Sequence, residues 1–198
     1  MILPRFYPIF DDVAWLRRML PLGVKLVQLR IKDQPQDILR AQLAEARDLC
    51  HAHDAVLVVN DHWQLAIELD CAWVHLGQED LDEADVNAIR EKGLGLGVST
   101  HDKAELRRAL ALKPDYIALG PIYPTILKKM EWHAQGIEKL THWKEQLGDI
   151  PLVAIGGMNV SRAEGAFAAG ADIVSAVTDI TLNQNPEGRI REWLEICK

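Results

Sequence analysis

Short apolar, β-branched runs alternate with amphipathic stretches along the whole chain, so the hydrophobic period switches repeatedly between the strand and helix values. Eight runs read as strands: Phe6 to Phe10, Leu26 to Lys32, Val56 to Asp61, Trp73 to Gly77, Leu94 to Thr100, Tyr116 to Ile122, Leu152 to Gly157 and Ala171 to Ser175. Between them apolar residues recur at helical spacing, most clearly Ile38, Leu39, Leu43, Ala46 and Leu49, and later Ile137, Leu140, Trp143 and Leu147. Gly23, Gly93, Gly148 and Gly170 stand where those helices should stop. The repeat of about 20 to 35 residues is too short for two dinucleotide-type halves with linkers, but it suits a compact (β/α)8 barrel. The expected fold class is therefore α/β, a single (β/α)8 TIM barrel with residues 1–198 as one domain; a doubly wound sheet is the alternative.

Several of these strands break the apolar pattern that a parallel sheet covered by helices demands. In Val27-Gln28-Leu29-Arg30-Ile31-Lys32 the apolar residues share one face and the polar ones the other. The apolar face suits the helix layer, so Gln28, Arg30 and Lys32 are expected to line the barrel interior, rising towards its C-terminal mouth. Charges there need partners, either internal acids or an anionic ligand. Carboxylates follow two adjacent strands, as Asn60-Asp61 and as Gln78-Glu79-Asp80. Asp61 and Asp80 are either helix caps or half of a magnesium site that a diphosphate completes. Gly93, Gly95 and Gly97 follow the two-residue period up to Ser99, removing bulk from one face and so leaving room for a ligand; Ala118 and Gly120 repeat the device. Gly156-Gly157 before Asn159, and Val174-Ser175, occupy the positions after strands seven and eight where such barrels hold phosphate. For the glycine pair a plain tight turn is the alternative.

Composition narrows the function classes. Twenty-two Lys and Arg against 29 Asp and Glu leave a net charge of −7, which disfavours a general nucleic-acid or anionic-membrane binder. No apolar run approaches a bilayer span and the N-terminal residues lack signal-peptide order, so a cytoplasmic location is expected. Cys50, Cys71 and Cys197 have no metal or disulfide spacing, and Cys50 reads as core filler. His51 and His53 read as a solvated helix end. The stretch from Tyr123 to about Gln135 lacks regular structure, and long loops in compact domains are commonly functional.

Gln28-Leu29-Arg30-Ile31-Lys32, Val59-Asn60-Asp61, Val74-His75-Leu76-Gly77-Gln78-Glu79-Asp80, Gly97-Val98-Ser99-Thr100-His101, Gly120-Pro121-Ile122-Tyr123-Pro124-Thr125 and Ala154-Ile155-Gly156-Gly157, taken in order, resemble the thiamine phosphate synthase family. The resemblance implies a (β/α)8 transferase that joins a hydroxymethylpyrimidine diphosphate to a thiazole phosphate, with Mg2+ as cofactor, releasing pyrophosphate. It implies that Gln28, Leu29, Arg30, Ile31, Lys32 and Asn60 hold the pyrimidine diphosphate, that Asp61 and Asp80 hold the metal, and that Ser99 and Lys128 meet diphosphate oxygens. Thr125, Gly157, Val174 and Ser175 would meet the thiazole phosphate, and Arg30, Lys32, Ser99 and Lys128 would stabilise the departing charge. Where the family usually reads Pro-Thr-x-Thr-Lys, this chain has Pro124-Thr125-Ile126-Leu127-Lys128. Loss of that hydroxyl should cost about 1.5 to 3 kcal/mol if it donates to phosphate. Two rivals are a thiazole tautomerase-like enzyme and a non-catalytic thiamine or thiazole phosphate binder; the retained Asp61, Asp80 and Gln28 to Lys32 strand argue against the tautomerase. Expected partners are small-molecule substrates, with no nucleic acid and no membrane. The oligomeric state is open, a homo-oligomer being compatible.

Overall fold

The computed structural model describes residues 2–125 and 133–198. The apolar runs form β1 (Phe6–Phe10), β2 (Leu26–Leu29), β3 (Val56–Asn60), β4 (Trp73–Leu76), β5 (Gly95–Thr100), β6 (Tyr116–Leu119), β7 (Leu152–Ala154) and β8 (Ile173–Ala176). All pair in parallel and in sequence order, and β8 pairs back onto β1, closing the barrel. Around it lie α1 (Val13–Met19), α2 (Gln36–Ala52), α3 (Trp63–Glu68), α4 (Val86–Glu91), α5 (Lys103–Ala111), α6 (Glu138–Leu147), α7 (Val160–Ala168), α8 (Thr178–Thr181) and α9 (Pro186–Ile196). The α/β barrel expected from the hydrophobic pattern is thus the fold.

Local chemistry sets the helix boundaries. Asp12, Asp102 and Asn159 place a side-chain oxygen on the free N–H groups that open α1, α5 and α7. Gly148 closes α6, and Gly93 and Gly170 lie one residue beyond the caps of α4 and α7. Cys50 is buried on α2, and His53 caps its end. Among the described residues no helix is long and apolar enough to cross a membrane.

Alternation along the strands divides the core in two. One set, including Val27, Leu29, Val59, Val74, Leu76, Val98, Leu119 and Val174, packs with helix residues such as Leu39, Leu43, Leu106 and Trp143. The other contains Tyr7, Leu26, Val58, Trp73, Tyr116, Ala118, Val153 and Ile173 and no helix residue, so it fills the lumen. Two expectations are corrected here. Strand β2 ends at Leu29, so only Gln28 of the three polar residues is inside; Arg30 and Lys32 stand exposed beyond the strand end, where water spares them the cost of desolvation. The missing bulk at Gly95 and Gly97 is not room for a ligand. A Cβ there would fall 2.4 Å from the Trp73 ring and 2.0 Å from that of Tyr116, so the glycines admit neighbouring aromatic rings.

Candidate active site

Strand order puts the candidate residues on two sides of the mouth. The ends of β2 to β5 carry Lys32, Asn60, Asp61, Asp80 and Ser99, and the ends of β6 to β8 carry Thr125, Gly157 and Ser175.

On the first side Asp61 sits one residue past β3 with φ +62°, a left-handed backbone that Asp tolerates better than most residues. Its Oδ2 accepts from Lys32 Nζ at 2.5 Å. The Asp80 carboxyl lies close enough to interact with it, and Asp80 Oδ2 accepts from the Gly77 N–H at 3.1 Å. Burial works to raise Asp61, but the Lys32 hydrogen bond and charge outweigh it and hold the carboxyl below its ordinary value. Asp80 is pushed up, by burial and then by the charge of Asp61. Neither side chain caps a helix. Among the described residues no group of three or more His, Cys, Asp or Glu could hold a metal ion. Asp61 and Asp80 present two carboxylates side by side, a pair whose chemistry would suit a hard cation that keeps waters and substrate oxygens as its remaining ligands.

The lumen beneath holds a hydrogen-bonded line of side chains. Gln28 Nε2 donates to Tyr7 Oη at 2.8 Å, and Tyr7 and Tyr116 share a hydroxyl hydrogen bond of 2.8 Å. Tyr116 Oη lies 2.9 Å from His75 Nδ1, and His75 Nε2 lies 2.7 Å from Ser99 Oγ. Burial drives the His75 imidazole down to about 4, against the pull of Asp61, and pushes both tyrosines up. Gln78 Nε2 donates to the Ser99 carbonyl at 2.7 Å and holds the backbone at the end of β5. Asn60 Nδ2 and Ser175 Oγ are buried without a hydrogen-bond partner among the described residues, an unusual cost unless something binds there.

On the second side Gly156 and Gly157 have φ +91° and +64°. A Cβ on Gly157 would meet the Pro124 carbonyl at 2.5 Å, so the turn after β7 lies directly on the loop after β6. Arg162 stacks 4.2 Å from the Tyr123 ring centre and donates to the Gly157 carbonyl. Thr125 is half-buried at the edge of the described loop.

The structure thus brings Lys32, Asp61 and Asp80 into one cluster and links Gln28 to Ser99; Ser175 lies beside this line, opposite Tyr7 in the β1–β8 pairing, and Gly157 follows β7 on the far side of the mouth. Leu29, Ile31 and Val174 have side chains in the helix-facing core, so of the expected substrate contacts only their backbone groups remain available. Leu127 and Lys128 lie outside the described residues. Sequence reasoning missed Tyr7, His75 and Tyr116 as a connected set. Their lumen parity was readable from the two-residue period, but a line joining β1, β6, β4 and β5 is not.

A family model described as thiamine monophosphate synthase matches residues 6–180. The chain is 54% identical over 194 residues to a Rhizobium etli protein named thiamine-phosphate synthase, covering 98% of this chain and 95% of that one. A protein of the same name from Escherichia coli K12 is 47% identical over 175 residues, or 88% of this chain and 83% of the relative. Among solved structures, thiamine phosphate pyrophosphorylase from Pyrococcus furiosus superimposes with a TM-score of 0.87 at 27% identity, covering 98% and 95% of the two chains.

Proposed function

The chain belongs to the thiamine monophosphate synthase family, and on that premise we propose how its barrel carries out the reaction. The enzyme is a transferase with the activity of a thiamine-phosphate synthase. It joins a pyrimidine diphosphate to a thiazole phosphate, releasing pyrophosphate. The supporting observation is the division of the mouth: a carboxylate pair with Lys32 on one side, and a glycine turn with the unpartnered Ser175 hydroxyl on the other.

The diphosphate belongs on the first side. Asp61 and Asp80 would hold magnesium, which when bound neutralises charge on the leaving diphosphate. Lys32 is held beside Asp61 by an ion pair, so its ammonium would stand within the same cluster that receives the diphosphate and could donate to one of its oxygens. Arg30, exposed on the same rim, adds a second cation, and Lys128 is proposed to join them. Asn60 Nδ2, buried and unpartnered, supplies hydrogens to the pyrimidine or its diphosphate. The thiazole phosphate belongs on the second side, against Thr125, the Gly157 turn and Ser175, with the backbone at Val174. Departure of the diphosphate leaves a methylene cation that the electron-rich aminopyrimidine supports, and the thiazole nitrogen captures it. No protein nucleophile takes part, so positioning and electrostatics set the rate. Residues 1–198 act here as one barrel domain, in a cytoplasmic setting that suits three free cysteines.

The test incubates the purified chain with both substrates and magnesium. Pyrophosphate release should require the thiazole phosphate and match the thiamine phosphate formed. Release at the same rate without thiazole identifies a hydrolase and overturns the reading.

A further inference from the structure

Hydrogens along the lumenal line can be counted, because each tyrosine hydroxyl has only one. Tyr7 is 2% exposed and has no partners among the described residues beyond Gln28 and Tyr116. Gln28 already donates to Tyr7 Oη, so if Tyr116 donated there as well, the Tyr7 hydrogen would be buried with no acceptor. Native interiors avoid such orphans. Tyr7 therefore donates to Tyr116. The single hydrogen of Tyr116 then goes to His75 Nδ1, which must be bare, and the imidazole carries its proton on Nε2. Nε2–H donates to Ser99 Oγ, 2.7 Å away, and the hydroxyl hydrogen of Ser99 is left over. Ser99 is only partly buried, at the mouth end of β5, with its carbonyl pinned by Gln78.

We infer that Gln28, Tyr7, Tyr116 and His75 form a one-way hydrogen-bond chain that turns the Ser99 hydroxyl hydrogen outward, making Ser99 a fixed donor to an anionic oxygen at the mouth. Tyr7, Tyr116 and His75 are positioning residues: they act on the ligand through Ser99. A freely rotating serine hydroxyl can accept from one group or donate to another, whereas this one is restricted to donation, which suits a site where negative charge grows during reaction. Burial favours the neutral imidazole that the chain requires. The identity of the anion as the departing diphosphate rests on the function proposed above; the direction of the chain does not.

The direction is read in ligand-free protein by two-bond proton–nitrogen NMR of the histidine rings, with the His75 signals identified by their loss in His75→Gln. The Nε2–H pattern is expected. An Nδ1–H pattern means that Ser99 donates inward and Gln28 accepts, and overturns the inference whether or not the chain is a synthase. Turnover supplies the second arm. Tyr7→Phe leaves Tyr116 free to reverse, so kcat should fall about tenfold with a smaller change in KM for the diphosphate substrate. Ser99→Ala should lose at least as much, and adding Tyr7→Phe to it should cost nothing more. If the two losses multiply, or if Tyr7→Phe keeps the wild-type kcat, the inference is wrong. Failure of the wild-type chain to release pyrophosphate sinks the synthase reading alone, and the histidine pattern still decides the direction.

Discussion

His75 is a histidine removed from its usual role as a proton switch at neutral pH. It is buried, and burial lowers its value from 6.5 to about 4. The sign of the effect on stability follows. Between pH 6.5 and pH 4 the unfolded imidazole takes up a proton that the folded one refuses, so stability falls as pH falls through that window, by up to about 3 kcal/mol. Denaturant unfolding of His75→Gln should show a lower midpoint at pH 7 but a shallower decline towards pH 4 than wild type; parallel declines would show that His75 is not the group responsible. Individual residues differed in how legible they were. Asp61 and Asp80 stood out because carboxylates follow two adjacent strands, and the structure does bring them close together. Tyr7 and Tyr116 read as ordinary core aromatics, since a hydroxyl's partner across a lumen leaves no trace in the local pattern.

At the level of elements, the strand starts were within two residues of the observed ones, but several ends were overrun. The alternation in β2 continues to Lys32 although the strand ends at Leu29, because side-chain parity persists while the barrel splays open at its mouth. The glycines of β5 show the complementary limit. Period two reveals that a face lacks bulk, yet not whether a ligand or a neighbour's ring occupies the space. Gly97→Ala should therefore press on Tyr116, destabilise the protein by about 1 to 3 kcal/mol and lower kcat, because Tyr116 is displaced from His75. Gly93→Ala is the control: nothing lies within 4 Å of its Cβ, so it should cost only the left-handed backbone preference, about 1 to 2 kcal/mol, with kcat unchanged. Calorimetry and steady-state kinetics on the two variants distinguish a packing role from a generic glycine effect.

Over the whole molecule, a net charge of −7 coexists with a mouth that carries Arg30 and Lys32, the latter paired with Asp61. The eightfold alternation made an α/β fold readable, and the short repeat favoured a closed barrel over the doubly wound alternative, because units of about 20 to 35 residues leave no room for two halves with linkers. If the mouth binds a metal diphosphate, magnesium with pyrophosphate at a hundred times the dissociation constant should stabilise the fold by about 2.7 kcal/mol. Thermal unfolding should show that shift in wild type and lose most of it in Asp61→Asn; an equal shift in both proteins would remove Asp61 from the metal site. The loop after β6 is tied down at both ends, Ile122 and Tyr123 bonding to Ile155 and Gly156, and Gln135 and Gly136 bonding back to Pro121 and Ile122. Those four backbone bonds seat both flanks of the segment at the rim, one against the turn after β7 and the other against the first flank, so its entry and exit points are fixed by the barrel itself.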